Sequence, residues 1–204
     1  MDPEREWWLR VPAVLLSPRS VFAALRSEEQ EEVEARAEPV LALTLLAGIA
    51  VALGTSTARS LYDDPLYDPL TLAIWAILAG GFVAFAGYFI VGGALYLGAR
   101  GLGSAGTFRR ARHVLGFAVA PLALSTLVLW PLGLAVFGTD LFKRGGDDDG
   151  TAGDVFYAAA FGFSLWAAVL LLLGVRVVHG WSWERSLAAL GLVALFLAAF
   201  GYLF

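Results

Sequence analysis

The 204-residue chain is 59% hydrophobic and only 16% charged, with a mean hydropathy of +0.72. Soluble domains average about half apolar and a quarter charged residues, so an ordinary soluble domain is excluded. A net charge of −4 excludes the basic footprint that nucleic-acid binding needs, and the absence of cysteine excludes disulfides, thiolate metal sites and cysteine nucleophiles.

Two histidines, His113 and His179, are too few for a histidine-rich metal site, and no cofactor is expected. Lys143 is the only lysine among 14 basic residues, and acid runs occur at Glu28 to Glu34 and Asp147 to Asp149. An acidic, lysine-poor composition fits a chain adapted to high salt; GC-rich coding with ordinary solvated loops is the alternative.

Residues 1–38 form the one sizeable segment outside the apolar stretches, and are expected to be cytoplasmic. Met1 to Glu6 are charged, and Arg10 and Pro12 interrupt the apolar run that follows, which is not the pattern of a signal peptide. Trp7, Trp8, Leu9, Val11 and Val14 to Leu16 make a patch too short to span a membrane, and tryptophan favours the headgroup level. Ser17-Pro18 then opens a helix, since serine can cap free amides and proline suits the first helical position. Val21, Phe22 and Leu25 share one face of it. We read residues 7–26 as an amphipathic element in the membrane interface, with docking on the helical bundle as the alternative. Glu28 to Glu38 continue as an acidic, solvated connector. Glu31, Glu32 and Arg36 within it match the EExxxR pattern of an intramembrane metalloprotease family. The later histidines that such a site requires are missing, and a solvated charged helix is the better account.

Five apolar stretches follow, at about 39–57, 70–98, 113–138, 155–175 and 186–204. Each is long enough for a helix to cross hydrocarbon, and open strands would leave backbone groups unpaired in lipid. The fold class is therefore all-α, a polytopic integral membrane protein with five transmembrane helices after an N-terminal amphipathic helix. The second stretch is read as one tilted helix rather than two broken at Gly80-Gly81. Alternating the loops across the membrane puts 11 basic residues on one side and 3 on the other. The N-terminus is then cytoplasmic and the C-terminus outside, in the cell (plasma) membrane. Arg109, Arg110 and Arg112 anchor the cytoplasmic end of the third span, and with Trp7 and Trp8 they are the candidate membrane-surface residues.

Small residues recur at helical spacing, as Gly80, Ala84, Tyr88 and Gly92 on the second span, and Ala188, Gly191, Ala194, Ala198 and Gly201 on the fifth. Both stripes are expected to pack within the bundle. Pro121 should kink the third span by removing the amide that would reach the Phe117 carbonyl, and Pro131 marks a second bend. The hydroxyls of Thr44, Tyr88, Ser125, Thr126 and Ser164 are expected to bond between helices or back onto their own helix. Gly145 to Gly150 resembles a calcium loop only superficially, since no glutamate closes it, and is expected to be a mobile acidic turn.

No Asp, Glu, Lys or Arg lies inside any of the apolar stretches, whereas proton relays and ion pathways need an intramembrane ionisable group. An enzyme is therefore not expected. The leading reading is a non-enzymatic protein that organises lipid or partner proteins, and the alternative is a transporter or channel subunit for a small or lipophilic substrate. The lipid bilayer is the first partner, with membrane proteins or further copies of the chain as candidates.

Ser17-Pro18 with Phe22 four residues on, an acidic connector, about five spans, and the step Gly116-Phe117-x-x-x-Pro121 after a basic loop together carry a resemblance. The chain resembles the Ypt-interacting-protein (Yip) domain family over roughly residues 10–204, as a prokaryotic-type member. The resemblance implies the multi-span helical fold and marks Ser17, Pro18, Phe22, Gly116, Phe117 and Pro121 as motif and structural residues. Eukaryotic relatives act in Golgi and endoplasmic-reticulum trafficking and associate with Rab-type GTPases through a longer cytosolic region. That region is not matched here, and Phe117 replaces a common tyrosine, so GTPase binding is not carried over.

Overall fold

The computed structural model describes residues 3–27 and 38–203, and every described element is helical. The EExxxR segment, the rest of the 28–37 connector and the Trp7 side chain lie outside what is described. In chain order the helices are α1 (Pro3–Leu16), α2 (Pro18–Ser27), α3 (Glu38–Leu53), α4 (Pro69–Gly101), α5 (Phe108–Ala118), α6 (Ala120–Leu127), α7 (Leu129–Phe137), α8 (Thr151–His179) and α9 (Trp183–Leu203). Short 3-10 turns lie at Ala58–Asp63 and Gly138–Phe142.

Among the described residues, three helical stretches are long and apolar enough to cross a membrane: Pro69–Gly101, Phe108–Phe142 and Thr151–His179, of 33, 35 and 29 residues. Glu38–Leu53 is apolar but shorter. Their outward faces are greasy, with Leu78 68% and Phe82 73% exposed. Isolated exposed apolar side chains are ordinary, but a continuous surface of them is stable only against lipid or a partner. α4 runs through Gly80-Gly81 without a break and carries a π-helical turn at Gly87–Val91.

The chain forms two compact units. Unit 1 comprises residues 1–43, 86–120 and 168–204. There, residues 7–26 are not one element: α1 and α2 meet at Ser17, whose carbonyl accepts from the amide of Ser20 at 3.2 Å and its hydroxyl at 2.7 Å. Val14, Val21, Phe22 and Leu25 are buried, and the Phe22 ring lies against Gly174 of α8 and beside Val114 of α5. The apolar face of α2 thus docks on helices, while Trp8, Leu9 and Leu16 of α1 stay exposed. α9 packs through Ser186, Ala189 and Val193, with Gly98 of α4 set against the Ala189 carbonyl. The stripe expected to pack there faces outward instead, since Ala188, Gly191, Ala194 and Ala198 are all exposed. Spacing alone located a small-residue face, and the larger Val193 face won because it fills more of the groove beside Gly98.

Unit 2 comprises residues 44–85 and 121–167. α3 and α4 cross closely: a Cβ on Gly48 would lie 2.3 Å from the Gly80 carbonyl oxygen, and one on Gly80 2.5 Å from Ile49. Thr126 of α6 donates to the Leu46 carbonyl of α3 at 2.7 Å, whereas Ser125 and Ser164 bond back to Leu122 and Ala160. The core gathers Leu61, Leu72, Trp130, Leu141, Phe142 and Phe156, with the Trp130 ring stacked on Phe142 and edge-on to Phe156.

The proline break also differs in place from the sequence expectation. The helix is interrupted ahead of Pro121: α5 ends at Ala118 with Val119 as its cap, and Pro121 is the second residue of α6. In the first turn of a helix the missing amide has no partner to lose, which is why the chain restarts there. The Val119 amide turns toward the carbonyls of Leu115 and Phe117. α6 in turn ends before Val128, three residues ahead of Pro131.

Candidate functional site: arginines stacked on aromatic rings

Unit 1 holds a set of arginines stacked on aromatic rings. The π turn of α4 has a wider repeat than an α-helix, and such turns recur at functional sites. Here it presents Tyr88 and Phe89 to Arg112 of α5, whose guanidinium carbon lies 4.8 and 5.3 Å from their ring centres and 4.5 Å from that of Phe108. The stem of Arg112 crosses α4 at Gly92, where a Cβ would lie 2.7 Å from its Cγ. The Arg112 Nε is enclosed without a hydrogen-bond partner. Cation–π attraction of about 0.5–2 kcal/mol per ring is what holds such a group.

Two left-handed glycines position the rest. Gly180, at φ +65°, closes α8, and the Trp181 amide returns to the Arg176 carbonyl at 3.1 Å. Gly103, at φ +84°, closes α4 in the same way, with the Ser104 amide on the Ala99 carbonyl at 3.1 Å. Both are glycine-terminated helix ends of the Schellman type, where a side chain would strain the backbone. They set Trp181 flat on His179, at 4.5 Å between ring centres, and Ser104 Oγ 3.1 Å from His179 Nδ1. Arg185 lies 4.5 Å over Trp181 and donates to the Leu102 carbonyl; Arg176 lies 4.4 Å over Trp183, its Nε enclosed without a partner. Arg100 donates to the Tyr96 hydroxyl.

A narrow crevice opens among these groups, lined by Tyr96, Ser104, Gly106, Thr107, Arg110 and His179 over a floor that includes Leu95, Val114 and Val175. Thr107 caps α5 by accepting from the Arg110 amide at 3.2 Å. His113, the other histidine, is buried, and its Nδ1 sits 2.9 Å from the Arg109 carbonyl; a carbonyl can only accept, so that nitrogen carries the proton.

The charge pattern separates the two units. Each basic residue of unit 2 is carboxylate-paired: Arg59 with Asp148, Lys143 with Asp140, and Arg144 with Asp63. In unit 1, Arg100, Arg110, Arg112, Arg176 and Arg185 form no ion pair with any described carboxylate. Guanidiniums fixed on rings keep their in-plane N–H donors directed outward, the geometry that recognises carboxylate and phosphate.

Of the residues singled out from sequence, Phe22, Gly116, Phe117 and Pro121 are buried structural residues, and Ser17 and Pro18 form the α1–α2 turn. Trp8 is exposed, Arg110 lines the crevice and Arg112 sits among rings. The aromatic partners were not anticipated. Their signal was legible as arginines and aromatics interleaved at span ends, as in Tyr96-Arg100, Phe108-Arg112 and Trp181-Trp183-Arg185.

The acidic loop of unit 2 corrects another expectation. It is not a mobile turn: the Asp148 side chain is 0% exposed, accepts from the Tyr157 hydroxyl at 2.6 Å and lies 3.6 Å from Arg59. Arg59 in turn lies 4.4 Å over the Tyr157 ring. The loop backbone packs so tightly that a Cβ on Gly153 would lie 1.7 Å from the Asp148 carbonyl oxygen. No group of three or more metal-ligating side chains occurs among the described residues.

The Yip1 domain family model matches residues 13–204 of the chain. Comparison with curated proteins and with solved structures gave no match.

Proposed function

The chain belongs to the Yip1 domain family, and from that premise we propose that it is a non-enzymatic membrane protein that organises anionic lipid and companion proteins around its basic face. In this reading α3 and α9 cross the membrane together with the three long apolar stretches, which makes five spans with the N-terminus cytoplasmic and the C-terminus outside the plasma membrane. α3 is short, but a helix of 16 residues can span by local thinning of the bilayer. Trp8, Leu9 and Leu16 of α1 rest in the interface. The observation that carries the reading is the charge pattern: carboxylate-paired bases in unit 2, and ring-stacked arginines without a described carboxylate in unit 1. Bilayers supply the missing anions on their cytoplasmic leaflet, each nearby arginine contributing about 1 kcal/mol. The apolar stretches hold no charged catalytic pair, and neither an enzymatic step nor GTPase binding is part of the proposal.

The test is purification in mild detergent with identification of everything that comes along. Anionic phospholipid and specific membrane proteins should be enriched over an unrelated multi-span control; lipid matching the control and no companion protein would overturn the reading. A second reading, a transporter subunit for a lipophilic substrate, draws on one observation. Unit 2 contains a groove of ≈ 320 Å³ lined by Val51, Leu122, Ser125, Trp130, Phe161 and Ser164.

A further inference from the structure

We propose that the unit 1 crevice between α4, the 102–107 loop, α5 and the end of α8 is a binding site for a phosphate group. Arg110 is the anchor. It lines the crevice, and its guanidinium makes no hydrogen bond, ion pair or ring contact with any described residue. Thr107 Oγ1 accepts from the Arg110 amide, which leaves its own hydrogen free to donate into the opening. In the same loop Ser104 Oγ accepts from the Gly106 amide at 2.9 Å and pairs with His179, which fixes this part of the lining. Beyond the lining itself, Arg100 is tied to the Tyr96 hydroxyl and Arg185 to the Leu102 carbonyl, and neither forms an ion pair with a described carboxylate.

Size and depth narrow the occupant. The floor admits about one water-sized group, enough for one phosphate oxygen but not for a base or a sugar. Arg110 is the third residue of the 35-residue helical stretch Phe108–Phe142, just ahead of its charge-free part, which sets it at headgroup level when that stretch crosses a bilayer. Arginine's fork suits the paired oxygens of a phosphate ester, and Thr107 offers a hydroxyl to a further oxygen. A phospholipid headgroup and a soluble phosphate compound share this chemistry.

The inference rests on the proposed lipid-organising role, and the experiment separates the two. Delipidated protein in detergent is titrated with phosphatidylglycerol, phosphatidylcholine or inorganic phosphate, and retention is read by native mass spectrometry and by thermal shift. Phosphatidylglycerol should be retained over phosphatidylcholine, with about tenfold weaker binding in Arg110→Gln, the loss of one charge-assisted hydrogen-bonding group. Arg110→Lys, which keeps the charge but lacks the fork, should fall between. Arg144→Gln, an equal charge change in unit 2, should bind as wild type. Stabilisation by inorganic phosphate that depends on Arg110, without phosphatidylglycerol preference, supports the site with a soluble occupant. Wild-type protein that prefers neither phosphate probe, or Arg110→Gln that binds undiminished, overturns the site. If no lipid is retained at all, phosphatidylcholine included, the lipid-organising role itself fails.

Discussion

Asp148 is a fully enclosed carboxylate held by one phenol and one half-exposed arginine, and these two partners decide what its removal costs. The Tyr157 hydroxyl bonds it at 2.6 Å, while Arg59, with a side chain 43% exposed, stands 3.6 Å away and is shared with solvent. The hydrogen bond dominates, because an unpaired buried polar group costs about 1–3 kcal/mol whereas a partly exposed ion pair is worth under about 1. Asp148→Ala leaves the part-buried phenol without its acceptor, and Tyr157→Phe leaves the carboxylate without its donor. Each should lower the thermal midpoint in detergent, by about 1–3 kcal/mol of stability. Arg144→Gln, which removes an ion pair at a side chain 80% exposed, should change it by less than about 1 kcal/mol. Equal effects from all three variants would mean that the loop is held by charge and not by the phenol. Asp68 does a comparable job at a helix start: it accepts from the Thr71 amide at 2.6 Å, and the Thr71 hydroxyl and amide together hold its carboxyl below the usual range.

Helix crossings are set by where backbones can touch. The α3–α4 crossing turns on Gly48, whose added Cβ would lie 2.3 Å from the Gly80 carbonyl oxygen and 2.8 Å from Ala84 Cβ. A backbone oxygen cannot swing aside as a side-chain tip can, so Gly48→Ala must push two helices apart. Overpacking of this kind costs about 1–3 kcal/mol. Gly81→Ala makes the informative comparison, since its added Cβ meets nothing within 4 Å and alanine favours the helix by up to about 1 kcal/mol. Thermal unfolding in detergent should show Gly48→Ala well below wild type and Gly81→Ala at or above it. If the two variants behave alike, the close approach is not what holds this crossing. The third apolar stretch follows a different rule, since its breaks at Val119 and Val128 come just ahead of Pro121 and Pro131 and let each proline start a helix rather than disrupt one.

Across the whole molecule, three described helical stretches are long and apolar enough to cross a bilayer, and in the proposed topology the distribution of basic residues sets the orientation. With five crossings, 11 basic residues lie on the cytoplasmic side and 3 outside. An accessibility tag at the C-terminus should therefore label from outside intact cells, and one at the N-terminus only after permeabilisation. Both termini on one side would require an even number of crossings and would remove either α3 or α9 from the set of spans. The same proposed topology would put Arg109, Arg110 and Arg112 at the inner headgroup level, where the crevice would meet lipid.

Several features were legible in the sequence because they depend on quantities that add along the chain. The all-helical class, the apolar stretches and the family motif follow from composition, length and the spacing of Ser17, Pro18, Phe22, Gly116 and Pro121. Backbone groups in lipid must bond within their own segment, so helix is dictated before any neighbour is known. Tertiary structure decided the rest, because each feature depends on residues far apart in the chain. Spacing identified two small-residue stripes alike, yet Gly80 meets Gly48 while Ala188 and Gly191 face outward. An acid-rich loop looked mobile until Tyr157 and Arg59 closed over Asp148. The basic loop read as a topology and membrane-surface signal until Tyr88, Phe89 and Phe108 gathered round Arg112, and Arg110 was left at the crevice without a partner among the described residues. Hydropathy is a sum over neighbours in sequence, whereas the partner of a charge is chosen by packing, which no local window contains.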